Sequence, residues 1–260
     1  MPKERFQFRQ FTIHQNRCLM KVGTDGVLLG AWAGVEGVKS ILDIGAGTGL
    51  IALMLAQRAP AALVHGVELD EGSANQAAEN ASASPWSERI QILHGSIQEY
   101  AESCSFPYDL IASNPPFFRN SLKSPDAGRN KVRHAETLPF ADLLKAVAAL
   151  LNPDGRFCLI LPAGEAKVFE ETAATFGLFR TRCRNVRSKS EKIRREPGKL
   201  FRVFLLVFLK TRILLFGGSV GQRGGFPFQQ TDQPSDLDHD ADADRFDVRL
   251  LSLNSGDLRN

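Results

Sequence analysis

The sequence predicts an α/β fold, a sheet with helices on both faces, on two observations. Apolar runs of strand length alternate with longer segments of helical period along the first 210 residues. Glycine or proline turns stand where the runs end, and 260 residues with 43% apolar content bury one full-sized core.

The elements follow in order. SILDI, residues 40–44, is a short buried-strand pattern that ends in a glycine-rich turn, and LIALMLAQR, residues 50–58, reads as a helix stopped near Pro60. LVHGVE, residues 63–68, is a second strand, followed by an alanine-rich helix around 73–80. Residues 90–94 form a third strand and YDLIAS, residues 108–113, a fourth, which stops at Asn114-Pro115-Pro116 because proline cannot extend a ladder. After a polar, basic loop over 119–136, residues 140–151 are a strongly amphipathic helix. Pro153-Asp154-Gly155 predicts a turn into a fifth strand over 156–161. A helix over 165–175, an alternating strand over 178–186, a charged loop over 187–199 and a last strand over 200–208 complete the pattern.

Beyond Lys210 the pattern breaks: glycines are too dense for a regular element, and residues 229–245 are polar, so residues 211–260 are expected to form a disordered tail. Its alternate aspartates (Asp236, Asp238, Asp240, Asp242, Asp244) imitate a calcium loop. Such a loop needs glycine sixth and glutamate twelfth, where Ala241 and Asp247 stand. Cys18, Cys104, Cys158 and Cys183 are scattered without a paired spacing, so they read as reduced thiols of a cytoplasmic protein, and no metal is expected. No run of about 18 apolar residues exists to span a membrane, and the charged start, residues 1–9, lacks the apolar centre of a secretory signal.

The net charge of +3 conceals an asymmetry, −3 from residue 211 onward and +6 before it. Residues 180–202 hold ten Lys/Arg against Glu191 and Glu196, which favours a polyanionic partner, although a solvated positive face or loop gives the same composition.

Asp43-Ile44-Gly45-Ala46-Gly47-Thr48-Gly49 lies between a predicted strand and a predicted helix. Glycines there permit a tight turn and let a ligand approach the main chain, since no Cβ intervenes. The dinucleotide fingerprint would need a glycine at position 50, which is Leu50. Gly45, Gly47 and Gly49 instead make Gly-x-Gly-x-Gly with Asp43 two residues ahead, the form found in class I methyltransferases; a purely structural turn is the plainer alternative. Glu68 ends the second strand about 20 residues on, where an acid meets ribose hydroxyls in such folds; Asp70 is the nearby alternative, and a surface acid the plain one.

Asn114-Pro115-Pro116-Phe117 follows the fourth strand directly, at the sheet edge where open α/β folds bind ligands. It resembles the Asn-Pro-Pro-Tyr/Phe motif of methyltransferases acting on planar amino groups. A ring-conjugated amine is a poor nucleophile because its lone pair is delocalised. Acceptance of both its hydrogens, by the Asn114 side-chain oxygen and the Pro115 carbonyl, localises that pair, and two prolines orient the acceptors beforehand. Phe117 would stack on the base; Phe118 extends that platform or packs in the core, and His134, in the loop after the motif, reads as a surface residue, with lining of the pocket as the alternative. A rigid turn is the alternative for the tetrapeptide.

Residues 21–32, KVGTDGVLLGAW, together with the glycine turn and Asn-Pro-Pro-Phe, are similar to bacterial tRNA adenine-N6 methyltransferases, a resemblance covering roughly residues 6–208. It implies the class I methyltransferase fold, with a seven-stranded mixed sheet whose last strand is antiparallel. It divides the chain into a closing segment over residues 1–38 and a methyltransferase domain over 39–210. It implies S-adenosylmethionine as cofactor, tRNA as partner and adenine N6 in tRNA as target, with Lys21, Thr24 and Asp25 closing over the cofactor. A monomer is favoured. Where the family carries an aspartate that accepts from the cofactor adenine, this chain has Ser96, followed by Ile97, which could pack on the adenine face. The family's tyrosine-containing helical end has no counterpart after Lys210. A protein glutamine methyltransferase of release factors uses a similar motif, but carries a helical N-terminal domain for which about 40 residues leave little room. A non-catalytic RNA-binding protein is the reading from another class.

Overall fold

In the computed structural model, which describes residues 4–115, 138–187 and 202–210, nine strands and six α-helices are built around one large sheet. A small antiparallel hairpin, β1 (Arg5–Gln7) with β2 (Thr12–His14), comes first, then α1 (Thr24–Trp32). The core units follow as β3 (Ser40–Ile44), α2 (Leu50–Arg58), β4 (Leu63–Glu68), α3 (Glu71–Ser82), β5 (Ile90–His94), α4 (Ile97–Ser103) and β6 (Tyr108–Ser113). They are completed by α5 (Phe140–Leu150), β7 (Leu151–Pro162), α6 (Ala163–Thr175), β8 (Leu178–Arg187) and β9 (Arg202–Lys210).

The seven-stranded sheet has the order β5-β4-β3-β6-β7-β9-β8, with β9 antiparallel to both neighbours. The antiparallel last strand is therefore as the resemblance implies. From β3 the chain winds outward through β4 and β5, then returns to lay β6 on the other side of β3. That reversal opens a crevice at the carboxyl ends of β3 and β6, the place where doubly wound sheets take ligands.

The strands sort their side chains by a period of two. Ile41, Leu110 and Ala112 face one core layer with α1 and α2, while Leu42, Ile44 and Ile111 face the other with α5 and α6. Both faces are covered, so the parallel strands are nearly continuous apolar runs, which is why they read clearly.

Three features depart from the sequence reading. The segment Pro153-Asp154-Gly155 lies within β7 and not in a turn before it. A register shift between Tyr108 and Leu110 accommodates the extra residues, since Tyr108 pairs with Leu151 but Leu110 with Arg156. Helix α4 is additional, started by the N-cap Ser96, whose hydroxyl accepts from the Glu99 amide (3.2 Å) and donates to its carboxylate (2.8 Å). The β1–β2 hairpin is also additional, its three-residue strands being too short to show a period. The predicted loops over 119–136 and 187–199 and the tail over 211–260 fall almost wholly outside the described residues. Among the described residues no helix is long and apolar enough to cross a membrane, and no group of three or more His, Cys, Asp or Glu is placed to hold a metal.

Candidate active site

The turn after β3 needs its glycines for two different reasons. Gly45, Gly47 and Gly49 all have positive φ, at 73°, 54° and 78°. A Cβ on Gly45 would meet nothing within 4 Å, and one on Gly47 only the Gly45 carbonyl at 4.0 Å, so this side of the turn is an open main-chain cradle. At Gly49 a Cβ would lie 3.3 Å from that of Ala77, so this glycine lets α2 pack closely on α3. The Gly45 amide donates to Val67 O (2.9 Å), which holds the cradle against β4.

Glu68 ends β4 beside the cradle. One carboxylate oxygen accepts from the Gly47 amide (2.7 Å) and the other from the Asp70 amide (2.9 Å). Asp70, the alternative acid, is instead the N-cap of α3, accepting from the Ser73 amide at 2.8 Å. Asp43 lies fully buried beneath the turn, one oxygen accepting from the Ala52 amide in the first turn of α2 (3.0 Å). Its other oxygen has no partner among the described residues. Burial, with the nearby Glu68 charge adding to it, pushes the Asp43 carboxyl up to about 7.

Across the crevice, the Ser113 hydroxyl donates to Ile44 O (2.9 Å), pinning the end of β6 to the end of β3. Asn114 is thereby held beside the glycine turn, half-buried. Its side-chain oxygen is buried and accepts from no group among the described residues. A Cβ on Gly26 would stand 3.9 Å from the Asn114 amide nitrogen and 3.1 Å from Leu50, so a side chain there would crowd both the site and α2. Pro115 is buried; Pro116, Phe117, Phe118 and His134 lie outside the described residues.

The segment before α1 passes over this edge. Cys18 Sγ is 3.9 Å from Gly47 O, and the Leu19 amide donates to Ser73 Oγ at 3.3 Å. Gln15 secures the same segment, its side chain accepting from the Val22 amide (2.8 Å) and its carbonyl from Lys21 Nζ. Lys21 and Thr24 are exposed, whereas Asp25, in the first turn of α1, is half-buried and its carboxyl is raised by that burial. Leu19 and Met20 stand 63% and 67% exposed beside them.

The turn between β5 and α4 adjoins Glu68, because the Gly95 amide donates to Glu68 O (2.9 Å). Ser96 is there, but its hydroxyl is engaged with Glu99, and Ile97 is 4% exposed within the second core layer. A cavity of about 490 Å³ between the hairpin and α3, lined by His14, Arg17, Gln76, Glu79 and Asn80 among others, includes neither Glu68 nor Asn114. The glycine turn, Asp43, Glu68 and Asn114 are thus brought to one sheet edge. Cys18, Gly26 and Ser113 join them unforeseen; Ser113 had a signal, being a hydroxyl residue at a strand end directly before the motif, and Cys18 had none.

Residues 28–163 match the family described as the methyltransferase small domain. The chain is 49% identical over 178 residues to a tRNA1(Val) (adenine(37)-N6)-methyltransferase of Bacteroides fragilis, covering 68% of this chain and 75% of that one. To the enzyme of the same name from Trichodesmium erythraeum it is 51% identical over 181 residues, covering 69% and 76%. The crystal structure of precorrin-6y C5,15-methyltransferase from Geobacter metallireducens shares the fold, with a TM-score of 0.51 over 77% of this chain and 94% of that one, at 14% identity.

Proposed function

The chain belongs to the methyltransferase small-domain family and, within it, to the tRNA1(Val) (adenine(37)-N6)-methyltransferases, and from that premise we infer that it methylates the N6 amine of adenine 37 in valine tRNA. The observation that carries the chemistry is the buried Asn114 oxygen, left without a partner among the described residues and one strand away from an open glycine cradle. A buried acceptor of that kind costs about 1–3 kcal/mol unless something donates to it. A base amine entering the crevice supplies the donor.

S-adenosylmethionine, when bound, supplies an electrophilic methyl group on a sulfonium. The residues present fit it: Gly45 and Gly47 offer main chain with no side chain in the way, and Glu68 stands at the end of the neighbouring strand to accept from ribose hydroxyls. Asp43 supports the turn from beneath, and Gly49 sets the helix behind it. Lys21, Thr24 and Asp25 border the site from the N-terminal side, and Ser96 and Ile97 from the β5 side. Asn114 Oδ1 and the Pro115 carbonyl accept the two hydrogens of the target amine, which returns its lone pair to nitrogen and aims it. Pro115 and Pro116 keep those acceptors from relaxing, and Phe117 stacks on the base with about 1–3 kcal/mol. No general base is required, since the amine sheds its proton after it has gained the methyl group. A tRNA substrate places the enzyme in the cytoplasm.

The test is transfer of labelled methyl to unmodified total tRNA, followed by nucleoside analysis. Label is expected in N6-methyladenosine of one tRNA. Asn114→Ala should lower kcat at least about 100-fold while the affinity for S-adenosylhomocysteine stays within a few-fold. Label confined to a protein or to ribosomal RNA would overturn the assignment.

A further inference from the structure

Among the described residues, strand β8 is the outer edge of the sheet and pairs only with β9. Its sequence, LFRTRCRNVR, holds Arg180, Arg182, Arg184 and Arg187 and no acid. Because β9 is antiparallel to both neighbours, β8 runs parallel to β7, and its carboxyl end lies at the sheet edge where β6 ends in Ser113. Three strand spacings separate β8 from β6, about 14 Å.

The arginines are not equivalent. Arg180 is engaged with Glu170 on α6 at 3.0 Å. Arg182 and Arg184 point to the opposite face with Val186, which packs on the α1–α2 core layer; the two are about 7 Å apart along the strand. The Arg182 guanidinium lies over the Trp32 ring, 5.0 Å from its centroid. Stacking fixes the plane of the guanidinium and leaves its N–H edges free, the presentation that suits a phosphate. Arg184 has no ion pair among the described residues.

We propose that Arg182 and Arg184 form a docking surface for the phosphate backbone of the RNA substrate, lateral to the catalytic crevice. The assignment rests on the tRNA reading above and adds where the backbone lies. Charge complementarity favours a polyanion, since β8 offers cations of one sign over ten residues, and the stacked arginine has already lost part of the side-chain freedom that a phosphate contact costs. The same helix connects the two places: α1 ends in Trp32 beneath Arg182 and carries Gly26, in its first turn, against the Asn114 amide. Charge on an edge strand also blocks pairing with other sheets. That role predicts aggregation of the neutral variant with unchanged RNA affinity.

The experiment measures binding of the full chain to an unmodified valine tRNA transcript by fluorescence anisotropy across a salt series. Arg182→Gln/Arg184→Gln should bind about tenfold more weakly. Its plot of log K against log salt should be shallower by about 1.5, the loss of two phosphate contacts. Affinity for S-adenosylhomocysteine, read by calorimetry, should not change. Arg184→Gln alone leaves the Trp32 stack in place and should show about half the slope change, so a folding defect in the double variant does not hide the result. Affinity and slope equal to those of the wild type, with or without aggregation, overturn the docking surface and leave the proposed reaction standing. A wild-type chain that binds S-adenosylhomocysteine but shows no salt-dependent affinity for tRNA overturns both.

Discussion

Asp43 carries a buried carboxyl with one oxygen satisfied and the other without a partner among the described residues, and burial raises its pKa from 3.8 to about 7. A carboxyl raised on folding keeps its proton in the native state while the unfolded chain releases it. Its contribution to stability is therefore full below about pH 4, falls as the pH rises towards 7, and is level above that. Asp43→Asn retains an acceptor for the Ala52 amide and cannot ionise. Thermal melting from pH 4 to 8 should show the wild type losing stability across the window, and the variant following a flatter course. Superimposable profiles would refute the assignment. The sequence showed that an acid precedes the glycine turn, but not what it does, because its partner Ala52 is nine residues on and comes within reach only once α2 has formed. Glu68 was likewise legible as an acid at a strand end. Its hold on the Gly47 amide depends on β4 lying beside β3, which no local pattern states.

The helices end on cations that sequence reading passed over. Arg58, at the end of α2, donates to the carbonyls of Gly30 (2.8 Å) and Ala33 (2.7 Å) and so closes α1. Arg89, at the entry to β5, donates to Ala56 (2.9 Å), Ala59 (3.0 Å) and Ala62 (2.7 Å) and closes α2. Gly30 and Ala56 carry orphan carbonyls of the kind every helix leaves at its C-terminus, Ala33 and Ala59 are the C-caps, and Ala62 lies in the turn beyond α2. Arg89→Met strips the carbonyls of Ala56, Ala59 and Ala62 of a charged donor, at a cost of about 1–3 kcal/mol. The melting temperature should drop by several degrees, with S-adenosylhomocysteine affinity unchanged because the cradle is at the other end of α2. An unchanged melting temperature would show that water replaces the guanidinium. Elements whose signal is local were the legible ones: five- and six-residue apolar runs for β3 to β6, and strong amphipathicity for α5. Helix α4 was overlooked although Ser96 and Glu99 spell out its cap. The turn read at Gly155 is a bulge because β6 supplies a partner for both of its flanks.

For the whole molecule, the last strand among the described residues is not last in space. β9 lies between β7 and β8, and its Lys210 Nζ donates to Ala148 O (2.6 Å), sealing the end of α5. Among the described residues the sheet is complete with β9 in place, and every strand of it is then paired. A chain ending at Lys210 should accordingly melt cooperatively and bind S-adenosylhomocysteine as the full chain does; loss of the transition would mean that residues 211–260 contribute to the fold. At the N-terminal side the anchoring is uneven. Gly26 and Gly30 bring α1 hard against Leu50 and Met54, with a Cβ on Gly30 falling 2.8 Å from the Met54 sulfur. Ahead of Gly23 the segment over the cradle is held at a few points: Arg17 reaches Gln76 and Glu79 on α3, the Leu19 amide donates to Ser73 Oγ at 3.3 Å, and the thiol contact of Cys18 at Gly47 is weak. Such a segment can fray while the domain stays folded. On the proposed function, the timing of turnover is expected to be set locally: release of the spent cofactor should follow the opening of these few residues at the rim, without any rearrangement of the sheet.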